Sequence, residues 1–250
     1  MIDLTGKRLL ITGASSGIGK QTAILGSQLG AKVVLVARRE PELKDVLRQL
    51  HGDDHVYRCF DLQEIDEIDG FIQATVESFG ALDGLVHAAG VGGSRPLKML
   101  APSRLDQVMR LNFYSFVELI RSVTKRNRFN AGMSIVGISS VASVQGNQGK
   151  LAYCASKAAL DAAVRCLAKE LHRKQIRVNS VLPGLIETEM YDQFLNVGKD
   201  SSDAELVIAR QYAGVGKPED VANMIMYLLS DVAKFVTGTG IHLDGGRLSS

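Results

Sequence analysis

Tyr153 and Lys157 stand four residues apart in a stretch with the periodicity of a long helix. Residues at that spacing share a helix face, roughly 6 Å apart along the axis, so the phenol and the ammonium address the same space. A free tyrosine titrates near ~10. An ammonium about 4 Å away, at an effective dielectric near ~20, contributes roughly 4 kcal/mol, or about three pKa units. A phenol acidified in this way suits general acid/base work near neutral pH. Taken alone, the pair is equally a common surface decoration of helices. Ser139 and Ser140 shift the reading, because they close the apolar run Ser134–Ser139 and bring hydroxyls to the same sheet edge, where they can hydrogen-bond a substrate oxygen.

A second pattern concerns phosphate. Thr12-Gly13-Ala14-Ser15-Ser16-Gly17-Ile18-Gly19 follows a short apolar run and opens a helix. Glycines allow a tight turn and close approach of backbone to a pyrophosphate, and the helix N-terminus offers unpaired N–H groups with a partial positive charge. The second apolar run ends in Ala37-Arg38-Arg39. An acid at that place would bind the ribose 2′-hydroxyl of NAD, whereas a cation accommodates the 2′-phosphate of NADP. NADP(H) is therefore the expected cofactor; the competing reading is two solvated surface arginines.

The elements that must position these groups alternate. Strands are predicted at Lys7–Ile11, Lys32–Ala37, His55–Phe60, Leu85–Ala89, Ser134–Ser139, Arg177–Leu182 and Gly240–Leu243. Helices are predicted from the glycine turn to about Leu29, then at Pro41–Leu50, Ile65–Phe79, Ser103–Lys125, Leu151–Arg173 and Pro218–Leu229. Uniformly apolar strands alternating with helices indicate an α/β fold of the Rossmann type, one doubly wound parallel sheet of about seven strands covered on both faces. The whole of 1–250 reads as one domain. A polar segment, Asn196–Ala204, is either solvated surface or part of a mobile substrate lid at about 186–214.

Composition excludes several classes. Basic and acidic residues number 29 and 27, a net charge of +2, which lacks the basic excess of a nucleic-acid binder. The three cysteines (Cys59, Cys154 and Cys166) have no metal-ligand spacing, which argues against a metal site and for a reducing, cytoplasmic setting. Asp3, Lys7 and Arg8 interrupt any signal-like apolar run, and no run approaches the roughly 18 apolar residues of a membrane span.

Together, Thr-Gly-x-x-x-Gly-x-Gly, the strand-end serine and Tyr-x-x-x-Lys resemble the short-chain dehydrogenase/reductase family. The likeness runs from Lys7 to Gly246 and includes Asn112, Asn179–Gly184, Gly216–Ala222 and Asp244-Gly245-Gly246. It implies that Ser140, more than Ser139, polarises a carbonyl, that Tyr153 donates the proton as hydride arrives, and that Lys157 binds the nicotinamide ribose and lowers the tyrosine pKa. Asn112 would hold a water in a proton relay through Lys157. Gly13, Ser15, Ser16, Gly17, Ile18 and Gly19 would line the phosphates and adenosine. Asp61 and Leu62 would flank the adenine, and Ala89 and Gly90 the ribose. Pro183, Gly184, Ile186 and Thr188 would frame the nicotinamide. One departure stands out: the family usually has Asn-Ala-Gly where this chain has Ala88-Ala89-Gly90, so the bracing amide is missing. His87 reads as a satisfied strand-end histidine and Cys154 as a small helix residue.

The substrate pocket should be built by Gly92–Leu97, Val141–Leu151 and Leu185–Tyr191. Gln145, Asn147, Gln148 and Lys150 make one wall polar; Val141, Val144, Leu185, Met190 and Phe194 are apolar. The tail motifs resemble 3-oxoacyl-[acyl-carrier-protein] reductases, for which Arg126, Arg128, Arg173 and Lys174 could form a basic surface for an acidic carrier protein; they could equally be ordinary charged helix ends. The alternatives are a sugar, polyol or other alcohol dehydrogenase and a non-catalytic NADP(H)-binding sensor. The resemblance also implies a homotetramer or homodimer packed through Ser103–Lys125 and Leu151–Arg173, where Ala155, Ala158, Ala159, Ala162 and Ala163 permit close approach.

Overall fold

A computed structural model describes residues 1–197 and 208–249. Seven strands, β1 (Arg8–Thr12), β2 (Lys32–Ala37), β3 (Val56–Cys59), β4 (Leu82–His87), β5 (Phe129–Ile138), β6 (Arg177–Pro183) and β7 (Gly240–Leu243), form one sheet in the order β3-β2-β1-β4-β5-β6-β7. Every pairing is parallel. The order reverses between β1 and β4, and loops at the carboxyl ends of those strands diverge there to leave a crevice.

Alternation along the strands explains the two cores. Leu9 and Ile11 of β1 pack with Val33, Leu35, Val86 and Val136 on one face, under Ala23 of α1 (Gly17–Gln28), Leu43 of α2 (Glu40–Leu47) and Ile225 and Leu229 of the last long helix. Leu10, Val34, Leu85 and Ile135 point the other way, against Ile68 and Ile72 of α3 (Ile68–Phe79) and against Phe116, Leu119 and Leu160 of the helices that follow β4 and β5. Since successive side chains leave opposite faces and both faces are covered, apolar residues dominate both, and the buried polar ones, such as Thr12 and Ser180, are hydrogen-bonded within the fold.

The predicted helix Ser103–Lys125 is interrupted. α4 (Pro102–Met109) passes into a π turn, Arg110–Tyr114, before α5 (Ser115–Val123) resumes. α6 spans Leu151–Leu171, α7 spans Glu189–Val197 and α8 spans Pro218–Leu229. Two strands start more than one residue from their predicted bounds, the others agreeing to within one residue. β4 starts at Leu82, three residues early, because Leu82 pairs with Phe129; β5 likewise starts at Phe129, five residues early, behind a register shift opposite Leu82–Gly84. Part of the predicted lid at 186–214, and most of the polar segment from Asn196, lies outside the described residues.

Candidate active site

A cleft of about 1030 Å³ runs along the carboxyl ends of the strands, lined by Gly13, Ser15 to Gly19, Arg38, Arg39, Asp61, Leu62, Ala89, Gly90, Ser140, Tyr153, Lys157, Pro183, Gly184, Ile186 and Thr188. It thus gathers all the sequence-predicted residues except Asn112, which lies buried directly behind its wall.

At one end, β1 turns into α1 through Gly13. A Cβ there would lie 2.7 Å from the Ala88 carbonyl carbon and the Ala89 nitrogen, so the turn closes against the end of β4 only with glycine, whose φ is +64°. Arg39 folds back over this turn, its Nη2 3.4 Å from Ser15 Oγ and 3.5 Å from both Ser16 Oγ and a carboxylate oxygen of Glu189. Arg38 pairs with Asp61 at 3.6 Å. These are long, exposed pairs of small energetic weight, which an incoming dianion can outcompete.

At the other end, parity divides the two serines. Ser139 is buried and donates to Asp161 Oδ2 at 2.9 Å; Asp161 Oδ1 accepts from Ser180 at 2.7 Å. Ser139 is therefore part of the packing between β5, β6 and α6. Ser140 lines the cleft, with its Oγ accepting the Ala142 N–H at 3.1 Å. Asp161 carries no motif of its own, yet it lies one helical turn beyond Lys157, and that spacing is the signal that could have found it.

Tyr153 and Lys157 both line the cleft, as their spacing requires. The expected acidification of the phenol by the ammonium is overturned. Lys157 Nζ sits 5.8 Å from the ring centroid and donates to the Ile138 carbonyl at 2.7 Å. Burial instead pushes the Tyr153 phenol above its ordinary value, with a hydrogen bond to Ser140 pulling in the opposite direction. Burial also lowers Lys157 to about 8, with Asp161 opposing. Desolvation disfavours whichever form is charged, which is why the two groups move in opposite directions.

Asn112 occupies the middle of the π turn, a geometry frequent at functional sites. Its Nδ2 donates to Val91 O and Ser156 Oγ, both at 3.0 Å, and its Oδ1 accepts the Val91 N–H at 2.8 Å. The side chain is thus a brace between the loop after β4 and helix α6.

Support for the missing asparagine amide at Ala88 comes from Thr12 and His87, paired in register across β1 and β4. Thr12 Oγ1 accepts the Ala89 N–H and contacts His87 Nδ1, each at 3.2 Å. His87 is fully buried; burial, then the charge of Lys157, lowers its pKa to about 3, so the ring is neutral. Its Nε2 has only a loose approach to the Leu111 backbone, which qualifies the satisfied niche expected for it. Gln211, which no pattern flagged, is buried and braces the loop after β6: it accepts the Leu185 N–H at 2.8 Å and donates to the carbonyls of Leu185 and Gly214.

Of the predicted substrate walls, Val141, Asn147, Gln148, Lys150, Leu185 and Met190 line the cleft, while Val144 is exposed away from it. The side chain of Phe194 lies outside the described residues. Of the predicted basic surface, Arg128 is buried against Asp69 and Gln73, while Arg126, Arg173 and Lys174 are exposed, Lys174 donating to Thr124 O at 2.8 Å. No helix among the described residues is long and apolar enough to cross a membrane, and none of their acidic, histidine or cysteine side chains cluster to hold a metal.

Known proteins share this arrangement. The family model described as Enoyl-(Acyl carrier protein) reductase matches residues 13–247. A 3-oxoacyl-[acyl-carrier-protein] reductase FabG of Thermotoga maritima is 34% identical over 248 residues, 97% of this chain and 98% of that one. An L-xylulose reductase of Caenorhabditis elegans is 33% identical, over 98% of this chain and 96% of its own. Among solved structures, the L-sorbose reductase of Gluconobacter frateurii complexed with NADPH and L-sorbose superposes with a TM-score of 0.91 at 30% identity, covering 100% of this chain and 99% of that one. A dehydrogenase/reductase of Sinorhizobium meliloti gives 0.90 at 33%, over 98% and 96%. With its seven-stranded parallel sheet and its cleft of serine, tyrosine and lysine, the chain belongs to the short-chain dehydrogenase/reductase family of oxidoreductases.

Proposed function

We propose that this oxidoreductase uses NADPH to reduce a ketone to a secondary alcohol. The observation that carries this reading is the Tyr153 phenol, which lines the cleft one helical turn before Lys157 and is hydrogen-bonded to Ser140. The cleft fits the cofactor: the Cβ-free turn at Gly13 admits a pyrophosphate to the N-terminus of α1, and Arg38 and Arg39 stand where a 2′-phosphate would lie. When bound, NADPH supplies the hydride. Ser140 holds the carbonyl oxygen, and Tyr153 gives that oxygen its proton. Lys157, anchored on Ile138, contacts the ribose side of the cleft, and Asn112 keeps the Val91 loop against α6.

Two substrate classes fit this reading. The FabG relatives support a 3-oxoacyl thioester on an acyl carrier protein, with Arg126, Arg173 and Lys174 as the exposed cations of a docking face. The sugar reductases, together with the polar wall of Asn147, Gln148 and Lys150, support a sugar or polyol. We assign the protein to the cytoplasm, consistent with three free cysteines, and to a homotetramer, which light scattering tests; a clean monomer would refute that assembly. The test of the activity is Tyr153→Phe. Turnover with any carbonyl should fall ~10²- to 10⁴-fold with NADPH binding retained; a variant as active as the parent would remove the tyrosine from the mechanism.

A further inference from the structure

Strand β6 stays paired with β7 as far as Pro183, which faces Leu243, and Gly184 donates one further N–H to the Leu243 carbonyl at 3.0 Å. There the ladder ends. Leu185 follows in a loop whose Pro183, Gly184, Leu185, Ile186 and Thr188 line the cleft together with Tyr153 and Lys157. Backbone that leaves a sheet without reaching solvent needs another source of hydrogen bonds.

Gln211 supplies it. Its carboxamide presents to Leu185 the two groups that a neighbouring peptide would present. Oε1 accepts the Leu185 N–H at 2.8 Å, and Nε2 donates to the Leu185 carbonyl at 2.9 Å. Nε2 also donates to Gly214 O at 2.6 Å. Gly216 adds its own N–H to the Leu185 carbonyl at 3.0 Å and accepts the Glu187 N–H at 2.9 Å, so residues 211–216 flank the turn. The side chain is 3% exposed. An amide buried that deeply costs free energy unless it is hydrogen-bonded, and here both its donor and its acceptor groups are used.

Two glycines make the slot. A Cβ on Gly184 would collide with Gln211 Oε1, and one on Gly245 would come within 2.8 Å of Gln211 Cγ. Gly245 also accepts the Ala213 N–H at 3.1 Å. These glycines belong to the segments Asn179–Gly184 and Asp244-Gly245-Gly246, so the amide clamps the end of β6 to the turn after β7. Gln211 is not itself in the cleft lining; whatever it does there, it does through Leu185.

We propose that Gln211 is a positioning residue for hydride transfer: by holding Leu185 it fixes the cleft wall that receives the nicotinamide half of the cofactor. This rests on the NADPH-reductase reading above, with residues 183–188 framing the nicotinamide. Transfer is sensitive to such a wall, because a misplacement of about 1 Å costs roughly 10²-fold in rate.

The test separates the two halves of the cofactor. Gln211→Met keeps the length and fills the slot without any of the three hydrogen bonds. Its kcat should fall by ~10-fold or more, and calorimetry should show NADPH bound more weakly while 2′,5′-ADP, which carries only the adenosine half, binds as it does to the parent. Gln211→Glu keeps the acceptor for the Leu185 N–H but turns an oxygen towards two carbonyls, and should show the same pattern. Parental kcat with a parental ratio of NADPH to 2′,5′-ADP affinity would overturn the proposal. So would 2′,5′-ADP binding lost in step with turnover, the mark of a merely structural residue. If neither variant folds, amide exchange in the parent decides. The Leu185 amide, which Gln211 holds, should be protected more by NADPH than by 2′,5′-ADP; equal protection would reject the role. Failure of the underlying reading looks different: the parent itself would reduce no carbonyl with NADPH, and the proposal would fall with it.

Discussion

The ammonium of Lys157 hangs from the Ile138 carbonyl at 2.7 Å, so the last residue of β5 fixes where the lysine of α6 points. Its pKa of about 8 lies below the ordinary 10.5. Below pH 8 the lysine is charged in both folded and unfolded chains, and the folded state bears the full cost of the buried charge. Between pH 8 and 10.5 the unfolded chain binds more protons, so raising the pH stabilises the fold over that window. Lys157→Met should therefore lose activity yet melt higher than the parent below pH 8, with the gap closing towards pH 10.5. Equal melting temperatures across that range would mean the ammonium is comfortably solvated.

Ser139 and Ser140 separate cleanly by experiment. Ser140→Ala should lower kcat by ~10²-fold or more, the loss seen when one oxyanion donor is removed. Ser139→Ala leaves Asp161 a partner short and should cost about 1 kcal/mol of stability while retaining most turnover. Reversed phenotypes would exchange their roles.

Replacing Arg38 and Arg39 together with neutral residues should move cofactor preference towards NADH by ~10-fold or more, equivalent to about 1.4 kcal/mol. Since Arg39 also bonds Ser15, Ser16 and Glu189, the measured quantity is the ratio of kcat/KM for the two cofactors, which a general loosening of the turn leaves unmoved.

His87 governs the acid side. Its folded pKa of about 3 lies below the ordinary 6.5, so the unfolded chain takes up a proton that the folded chain refuses. Stability contributed by this neutral ring is present above pH 6.5 and is lost as the pH falls from there towards 3. His87→Asn should flatten the decline of melting temperature over that window by one proton's worth; an unchanged slope would show that the ring titrates freely.

Much of the site was legible because it is local. Tyr153 and Lys157 needed only helical spacing, and the glycine turn only its place between a strand and a helix. Both serines line the cleft, and the hydrogen bond from Ser139 to Asp161 that separates their roles is tertiary, so residues alone left the two open until the family resemblance favoured Ser140. Arg247 meets Gln145 across 102 positions and Gln211 meets Leu185 across 26, contacts that no periodic pattern encodes. The phenol's acidity was misjudged for a physical reason: shared helix face fixes direction but not burial, and the lysine is long enough to bond a different strand. β5 was read short because the residues behind its register shift, Asn130 to Met133, break the apolar run.

The π turn at Arg110–Tyr114 fits one additional residue into the helix circumference, which is how Asn112 can brace the Val91 loop and Ser156 while Phe116 and Leu119 still reach the core. An α-helix rotates about 100° per residue. Deleting one amino acid from this coil would restore regular winding and swing everything downstream of Ser115 by that angle, driving Phe116 off Gly137, whose missing side chain makes its berth. The extra residue thus locks a polar register to an apolar one, and evolution could not remove it without redesigning both faces at once.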